Sequence, residues 1–424
     1  MKLLVHGLNH WPEKVGIGRY TGELVAWLAA RGHQVRVVTA PPYYPDWHVW
    51  RGWRRFWWQR ETNSGARIHR APLYVPRKPT GRKRAIHLLS FAFTSLPVAL
   101  WQGLVFRPHV VFAVAPALAS APMAWLAAKA GGARSWLHIQ DFELDAAFGL
   151  GLMQGGWLKR RALAVERCLL RRFHRISTIS PRMVERLAAK GVAEERRILF
   201  PNWVDCGEIR PLSSPPQDLA AAMQLPAGRR IALYGGNLGE KQGLEILVEA
   251  ARLLAGRDDL LFLIVGEGAA RERLQAAAAG LGNLLFRPLV GADQLNALLN
   301  LATVHLLPQR ADAADLVLPS KLAPMLASAR PIVATAAPGT GVAQAVEGAG
   351  LAVPPGDAAA FAAAIARLVD EPELALTLGG RGRERALAEW DREAILLRFE
   401  AALGDLAGLS AGSERASQAR GRNR

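Results

Sequence analysis

The chain has 424 residues, half of them hydrophobic, and a formal net charge of +17. A single hydrophobic core stops growing near roughly 250 to 300 residues, so this length predicts two domains. The two cysteines, Cys168 and Cys206, show no ligand-like spacing, which argues against a disulfide framework or a zinc site and favours a reducing compartment.

Charge is distributed unevenly along the chain. Residues 1–200 hold 31 Lys or Arg against 11 Asp or Glu, whereas the remaining residues hold 22 against 25. The apolar run at the amino terminus is too short for a signal peptide and lacks a small-residue cleavage site. We therefore expect a cytosolic protein whose first domain meets an anionic partner.

The first half alternates short apolar runs with helix-like segments. A strand at residues 3–6 precedes the turn Gly16-Ile17-Gly18, a helix at residues 19–30 and a strand at residues 35–39. Three more strands are predicted, at residues 110–114, 136–139 and 175–179. Alternating strands and helices predict a parallel sheet that is covered on both faces.

The second half repeats this alternation after a loop rich in Pro and Ser. Its predicted strands are residues 231–234, 260–265, 284–286, 304–307, 332–335 and 351–353. The fold class is therefore α/β, with two Rossmann-like doubly wound domains that face each other across a cleft. We set these domains at residues 1–203 and 204–385, followed by a terminal helix at 386–404, whose helical pattern begins near Arg381, and a disordered basic tail at 405–424.

One segment of the second half predicts an anion site. In Leu316-Val317-Leu318-Pro319-Ser320-Lys321-Leu322, Ser320 is a natural N-cap for the helix-like run that follows. The free amides and positive dipole end of that helix, with Lys321 beside them, suit a diphosphate. The alternative is an ordinary capped helix with a solvated lysine.

Glycine-rich turns occur at two strand ends in the second half. The loop Tyr234-Gly235-Gly236-Asn237-Leu238-Gly239-Glu240-Lys241-Gln242-Gly243 allows backbone amides to approach a phosphate, which Lys241 would neutralise. Neither Gly266-Glu267-Gly268 nor the turn at Gly16 completes a dinucleotide-binding fingerprint, so structural turns are the alternative for both.

Together these segments resemble glycosyltransferase family 4. The resemblance covers roughly residues 1–400 and is closest to the WcaI-like transferases of exopolysaccharide (colanic-acid-like) assembly. It rests on Leu318-Pro319-Ser320-Lys321-Leu322, the loop at residues 236–243, Ile179-Ser180-Pro181-Arg182-Met183, Pro201-Asn202-Trp203-Val204-Asp205 and Gln140-Asp141-Phe142-Glu143.

The resemblance implies a GT-B fold and a retaining, metal-independent transfer from a nucleotide-diphosphate-sugar, with GDP and UDP both open and no further cofactor. The implied acceptor is a lipid-diphosphate-linked saccharide. The implied catalytic residues are Asp141, Lys241 and Lys321. The implied donor-binding residues are Gly16, Gly18, Asn237, Lys241, Glu267, Asp315, Ser320 and Lys321.

The chain departs from the family pattern at two places. Many relatives carry two glutamates eight positions apart, where this chain has Leu316 and Pro324; Asp315 lies next to the first position and is its candidate substitute. Many relatives also have a histidine before the aspartate matched by Asp141, where this chain has Gln140 and, two residues earlier, His138.

A basic, aromatic segment precedes a long uncharged one. Residues 51–84 hold eleven Lys or Arg and one acid, and residues 85–106 contain no charged side chain. A bilayer crossing is rejected because residues 107–114 continue the same sheet. His87, Ser90 and Thr94 form a stripe too thin for a solvent face, which predicts an interfacial helix and a peripheral protein on the inner face of the cytoplasmic membrane. The predicted membrane and acceptor contacts are Trp53, Arg54, Arg55, Trp57, Trp58, Arg82, Lys83 and Arg84.

Two alternatives remain from the residues alone. A nucleic-acid or polyanion binding protein would use Trp57 and Trp58 for base stacking, but would leave the lysines of the second half without a role. A sugar-nucleotide epimerase of related fold would need no lipid. The favoured interpretation has no nucleic-acid partner, and an ordinary core helix with a solvated basic loop is the alternative to membrane contact.

Overall fold

The structure is a computed structural model that describes residues 1–14, 16–78, 80–115, 118–142, 156–239, 242–311 and 318–409. The chain divides into two compact units. The first unit holds residues 1–201 and the segment from Leu396 onward, and the second holds residues 202–395. Each unit is built on its own sheet.

The first unit contains a sheet of eight strands. The strands are β1 (Lys2–Gly7), β2 (Gln34–Thr39), β3 (Gln59–Asn63), β4 (Ala66–Arg70), β5 (Val110–Ala115), β6 (Arg134–Ile139), β7 (Arg175–Thr178) and β8 (Arg197–Leu199). Their order is β3-β4-β2-β1-β5-β6-β7-β8, and all neighbours are parallel except β3 with β4. The helices of this unit are α1 (Gly16–Ala30), α2 (Gly81–Phe106), α3 (Ala121–Gly131), α4 (Gly156–Leu170) and α5 (Pro181–Ala189).

The second unit contains a parallel sheet of six strands. They are β9 (Arg230–Gly235), β10 (Leu260–Val265), β11 (Leu284–Arg287), β12 (Val304–Leu307), β13 (Ile332–Thr335) and β14 (Gly350–Val353), in the order β11-β10-β9-β12-β13-β14. Its helices are α6 (Gln217–Ala222), α7 (Glu245–Leu253), α8 (Arg271–Ala277), α9 (Leu295–Leu301), α10 (Leu322–Ala327), α11 (Gly341–Val346), α12 (Ala358–Asp370) and α13 (Pro372–Arg385).

The central strands explain why the parallel sheets were readable from the sequence. Every residue of β5 (VVFAVA) and of β10 (LLFLIV) is buried. Strands covered on both faces consist of continuous apolar runs instead of alternating ones. The α/β class with two doubly wound domains is confirmed.

The basic segment at residues 51–84 is more ordered than an extended solvated loop. It contains the antiparallel pair β3 and β4, which the sequence did not reveal because polar side chains interrupt its alternation. Arg70, at the end of β4, is buried, and its guanidinium forms an ion pair of 2.5 Å with Glu61. This arginine also donates hydrogen bonds of 2.7 Å to the carbonyl oxygens of Ala40 and Trp11.

The predicted terminal helix is interrupted. Helix α13 ends at Arg385, a π-helix follows at Ala386–Trp390, and α14 begins only at Arg392 and ends at Leu406 (Arg392–Leu406). Asp391 has extended backbone angles, forms a bridge with Val204, and its carboxylate accepts a hydrogen bond from the Ala394 amide. An aspartate that satisfies a free helix amide is a start signal, and the sequence interpretation passed over it. The predicted tail beyond residue 409 lies outside the described residues.

Candidate active site

Two loops at the carboxyl ends of β9 and β10 pack closely against each other. The Leu238 amide donates to the Glu267 carbonyl oxygen at 2.8 Å, and the Gly236 amide donates to the Val265 carbonyl oxygen at 2.9 Å. A Cβ atom added at Gly266 or Gly268 would overlap the backbone of the other loop. These two glycines therefore have the structural role that the sequence left open for them.

Tyr234 also stabilises the loop after β9. Its hydroxyl donates a hydrogen bond of 2.8 Å to the Asn237 carbonyl oxygen and lies 3.2 Å from Gln242 Oε1. Gly236 has φ +134°, which a residue with a side chain rarely adopts. The ring of Tyr234 is buried beneath this turn.

The amino group of Lys321 lies against the same tyrosine. Its Nζ atom is buried and lies 3.9 Å from the centroid of the Tyr234 ring. A Cβ atom added at Gly236 would lie 3.9 Å from this Nζ. Within the described part of the chain, the amino group has no hydrogen-bond partner. Since a buried polar group without a partner is costly, this atom is a candidate for contact with an anion.

Burial changes the protonation of this lysine. The pKa of Lys321 is lowered from 10.5 to about 7 because the ammonium form loses its hydration there. An anionic ligand would restore the charged form by providing the missing partner. The sequence of residues 202–395 contains two lysines, Lys241 and Lys321, and both belong to the predicted diphosphate site.

The neighbouring candidates differ in how well they fit their predicted roles. Ser320 is exposed and does not cap α10: Lys321 is the N-cap residue, and Ser320 lies in the preceding turn, where the Leu322 amide donates to the Pro319 carbonyl oxygen. The helix begins at Leu322, as the sequence indicated, but its N-cap residue is Lys321 and not Ser320. Asn237 is exposed in the loop. Glu267 is half exposed and forms an ion pair of 2.6 Å with Arg271. Lys241, Asp315, Leu316 and Glu143 lie outside the described residues.

A pocket in the first unit brings three other candidates together. Gly16, Gly18 and Asp141 line it together with Arg84, and aromatic side chains form part of its wall: Tyr43, Tyr44 and Trp47. Gly16 has φ +57° and opens α1, so the first amides of a 15-residue helix lie at this pocket. Gly18 has a packing role, since a Cβ atom there would lie 2.7 Å from the Cβ of Glu13.

Asp141 combines exposure to this pocket with a perturbed ionisation. Its side chain is exposed, yet the surrounding protein raises the pKa of the carboxyl group, an effect that the charge of Arg84 opposes. The carboxylate is therefore accessible to a ligand in the pocket. A carboxylate and a guanidinium in the lining of one pocket suit a polar, charged ligand.

Comparisons with known proteins show the family of this chain. Residues 15–203 match the model of the glycosyl transferase 4-like domain, and residues 229–371 match that of glycosyl transferases group 1. The chain is 43% identical over 409 residues to the colanic acid biosynthesis glycosyl transferase WcaI of Escherichia coli K12, covering 94% of this chain and 98% of that protein. The chain belongs to glycosyltransferase family 4. It is therefore an enzyme, and the nucleic-acid binding alternative is set aside.

Solved structures share the fold of this family 4 transferase at low identity. Sucrose-phosphate synthase from Thermosynechococcus elongatus has a TM-score of 0.69 at 21% identity, over 96% of this chain and 98% of that chain. HepE from Anabaena, solved in complex with UDP-glucose, has a TM-score of 0.66 at 14% identity, over 96% of this chain and 100% of that chain. These likenesses confirm the GT-B class.

In this transferase His138 does not replace the histidine that many relatives carry before the aspartate. Its side chain is buried in β6, where Nδ1 lies 2.9 Å from Ser177 Oγ and Nε2 lies 3.0 Å from Gln140 Nε2. Burial lowers the pKa of His138 to about 3. It therefore stays neutral inside the sheet, and it is not among the residues that line the pocket.

The predicted membrane and acceptor residues of the transferase occupy two segments. Arg54, Arg55 and Trp57 are exposed in the loop before β3, and Arg82, Lys83 and Arg84 are exposed at the start of α2. The indole nitrogen of Trp58 donates to the Thr94 carbonyl oxygen at 3.0 Å, so the loop is attached to α2. Trp53 is half-buried, with the Arg70 guanidinium 5.7 Å from its ring centroid.

Sequence reasoning missed two residues of the transferase that shape these sites. The buried carboxylate of Glu13 accepts hydrogen bonds of 2.9 Å from the amides of Tyr43 and Tyr44 and from Asn9 Nδ2. Glu13 thereby fixes the aromatic wall of the pocket. In the sequence, only the position of Glu13 near the Gly16 turn pointed to a role in the site. Tyr234 was missed because it lies in a predicted strand, and a place in that strand already accounted for it.

Proposed function

We propose that this enzyme moves a sugar, with retention of configuration and without a metal ion, from a nucleotide-diphosphate-sugar to a lipid-diphosphate-linked saccharide in exopolysaccharide assembly of the colanic-acid type. The observation that carries the donor assignment is the buried, unpartnered amino group of Lys321 beside the loop after β9. The name of the WcaI relative supports the pathway class.

The chemical demand of this reaction explains a buried cation. Negative charge builds on the departing diphosphate as the anomeric carbon becomes cation-like. A lysine held in a dry site stabilises that charge most strongly in the transition state, where it lowers the barrier. In our proposal Lys321 leaves the Tyr234 ring and contacts the diphosphate, and Lys241 approaches it from the loop after β9. Ser320, Asn237 and Asp315 remain proposed donor contacts.

The first unit provides the proposed acceptor site. Asp141 contacts the acceptor or the reacting sugar, Arg84 pairs with acceptor phosphate, and the amides at Gly16 and Gly18 border the donor phosphates. We propose no cofactor beyond the nucleotide-sugar. Among the described residues, no group of three or more His, Cys, Asp or Glu is arranged to hold a metal ion. Glu267 is proposed to lie beside the nucleotide.

The donor proposal is tested by thermal-shift binding of GDP and UDP to the wild type and to Lys321→Ala and Lys241→Ala. Lys129→Ala is the matched control, because Lys129 is an exposed lysine of the first unit. We expect one nucleotide to stabilise the wild type and the control, and neither substituted donor-site variant. If neither nucleotide raises the melting temperature of the wild type, the proposed diphosphate site is wrong.

A further inference from the structure

From residue 85 onward, the outward side of α2 is apolar. Between residues 85 and 106, every exposed side chain is apolar, and Phe93 is 68% exposed. Six of them recur at intervals of three or four residues and form one stripe: Ile86, Leu89, Phe93, Pro97, Trp101 and Leu104. At 1.5 Å per residue, the stripe is about 27 Å long. Contiguous apolar surface of this extent indicates a binding surface.

The polar side chains of α2 are turned inward, which reverses the usual pattern of a surface helix. Ser90 Oγ accepts from the Tyr74 amide at 2.9 Å, Thr94 Oγ1 donates to the Pro72 carbonyl oxygen at 2.5 Å, and His87 Nδ1 donates to the Tyr74 carbonyl oxygen at 2.6 Å. The thin polar stripe predicted from the sequence is thus used inside the unit. Between residues 85 and 106, no Ser, Thr, His or Gln side chain is exposed.

Cations and aromatic rings flank this apolar stripe. Arg82 and Lys83 are exposed at its amino-terminal end, and Arg54 and Arg55 are exposed in the loop before β3. Phe56 in that loop is 77% exposed. The bond from Trp58 to the backbone of α2 attaches this loop to the helix. The surface therefore combines a large apolar stripe with a positively charged rim.

We propose that the α2 stripe, the aromatic loop at residues 56–58 and the flanking cations form a docking face for an anionic lipid bilayer, with α2 lying in the plane of the membrane. This proposal rests on the proposed function, since a lipid-linked acceptor is presented at such a surface. Apolar side chains enter the acyl boundary while cations contact headgroups. Arg84 and His87 line the pocket from the same helix, so the pocket lies beside the bilayer.

Two other arrangements fit the surface less well. In the described part of the chain, α2 is the one helix long and apolar enough to cross a membrane. A crossing would expose buried polar groups such as Gln102, which accepts a bond of 2.7 Å from Arg36, and would separate β5 from its partner β1. A symmetric contact between two copies would bring two basic rims together, which is unfavourable, whereas an anionic bilayer neutralises them.

The test is flotation of the full chain with vesicles of phosphatidylethanolamine and phosphatidylglycerol, compared with pure phosphatidylcholine. The variants are Phe93→Ser with Leu104→Ser, and Arg54→Gln with Arg55→Gln. The matched control is Leu376→Ser, a residue of the second unit that is 69% exposed. All these positions are exposed, so circular dichroism and thermal unfolding should match the wild type.

We expect the wild type to float with the anionic vesicles. The apolar pair should weaken binding at least about tenfold, and each neutralised arginine should weaken it roughly fivefold. Leu376→Ser should bind like the wild type. Equal binding to phosphatidylcholine, equal loss in the control, or a dimer in light scattering that the apolar pair dissociates would overturn the proposal.

Nucleotide thermal shifts on the same samples separate this proposal from the proposed function. A wild type that is stabilised by GDP or UDP but does not float contradicts the docking face alone. A wild type that floats but responds to neither nucleotide contradicts the donor proposal and leaves the docking face standing.

Discussion

Two buried cations, Arg70 in the first unit and Lys321 in the second, differ in what surrounds them. Arg70 has an ion pair with Glu61 and donates to two carbonyl oxygens, so its guanidinium is satisfied within the fold. Lys321 Nζ lies on an aromatic ring and has no hydrogen-bond partner in the described residues. Arg70 therefore stabilises the fold. Burial of the Lys321 amino group destabilises the free protein, and a bound anionic ligand would offset that cost.

Replacement of Arg70 should have the largest effect on stability. Arg70→Met leaves the Glu61 carboxylate and two carbonyl oxygens without their donor, so we expect the free energy of unfolding to fall by about 3 to 5 kcal/mol. Urea denaturation measures this change. Replacing Arg19, whose ion pair with Glu23 is at the surface, should cost less than about 1 kcal/mol. If replacing Arg70 lowers the free energy of unfolding as little as replacing Arg19 does, Arg70 does not have the structural role that distinguishes it from Lys321.

Replacement of Lys321 should change activity and stability in opposite directions. Lys321→Met should reduce transfer by on the order of 10²-fold or more, because the cation facing the departing diphosphate is gone. At neutral pH the same change should raise the free energy of unfolding by on the order of 1 kcal/mol, because the cost of burying an ammonium ion disappears. Activity assays and urea denaturation of one preparation test both effects. A destabilised variant would show that Lys321 has a structural role.

The lysine also predicts a dependence on pH. Its pKa in the free protein is lowered from 10.5 to about 7, so the unfolded state binds more protons between these values. Burial therefore costs most below about pH 7, and the stability gain of Lys321→Met should shrink as the pH rises toward 10.5. Nucleotide binding requires proton uptake above about pH 7, so affinity should fall by up to about tenfold per pH unit. Calorimetry in buffers of different ionisation enthalpy measures this proton uptake, and any residual affinity of Lys321→Met should be independent of pH.

The smallest expected effect concerns the support beneath the lysine. Tyr234→Phe keeps the ring under Lys321 but removes the hydroxyl that donates to the Asn237 carbonyl oxygen. We expect a cost of about 1 kcal/mol in stability and a weakening of nucleotide affinity by a few fold. Tyr234→Leu also removes the ring and should shift the pH at which affinity begins to fall. If both variants show the same pH profile, the ring does not position the amino group.

The sequence was most informative where one pattern had one structural solution. Continuous apolar runs such as residues 260–265 predicted buried parallel strands, and Lys321 was recognised from its motif. The sequence failed where tertiary contacts decide the outcome. Ser320 has a capping side chain, but the chain turns once more before α10 begins. The inward direction of Ser90 and Thr94 depends on the carbonyl and amide groups of residues 72–74, which no periodicity reveals.

A crystal structure with a bound nucleotide diphosphate would show whether the amino group of Lys321 binds the donor diphosphate. We predict that Lys321 Nζ will have left the Tyr234 ring and will lie about 2.7 to 3.2 Å from a β-phosphate oxygen. If the nucleotide binds elsewhere and Nζ remains on the ring, the donor assignment is contradicted.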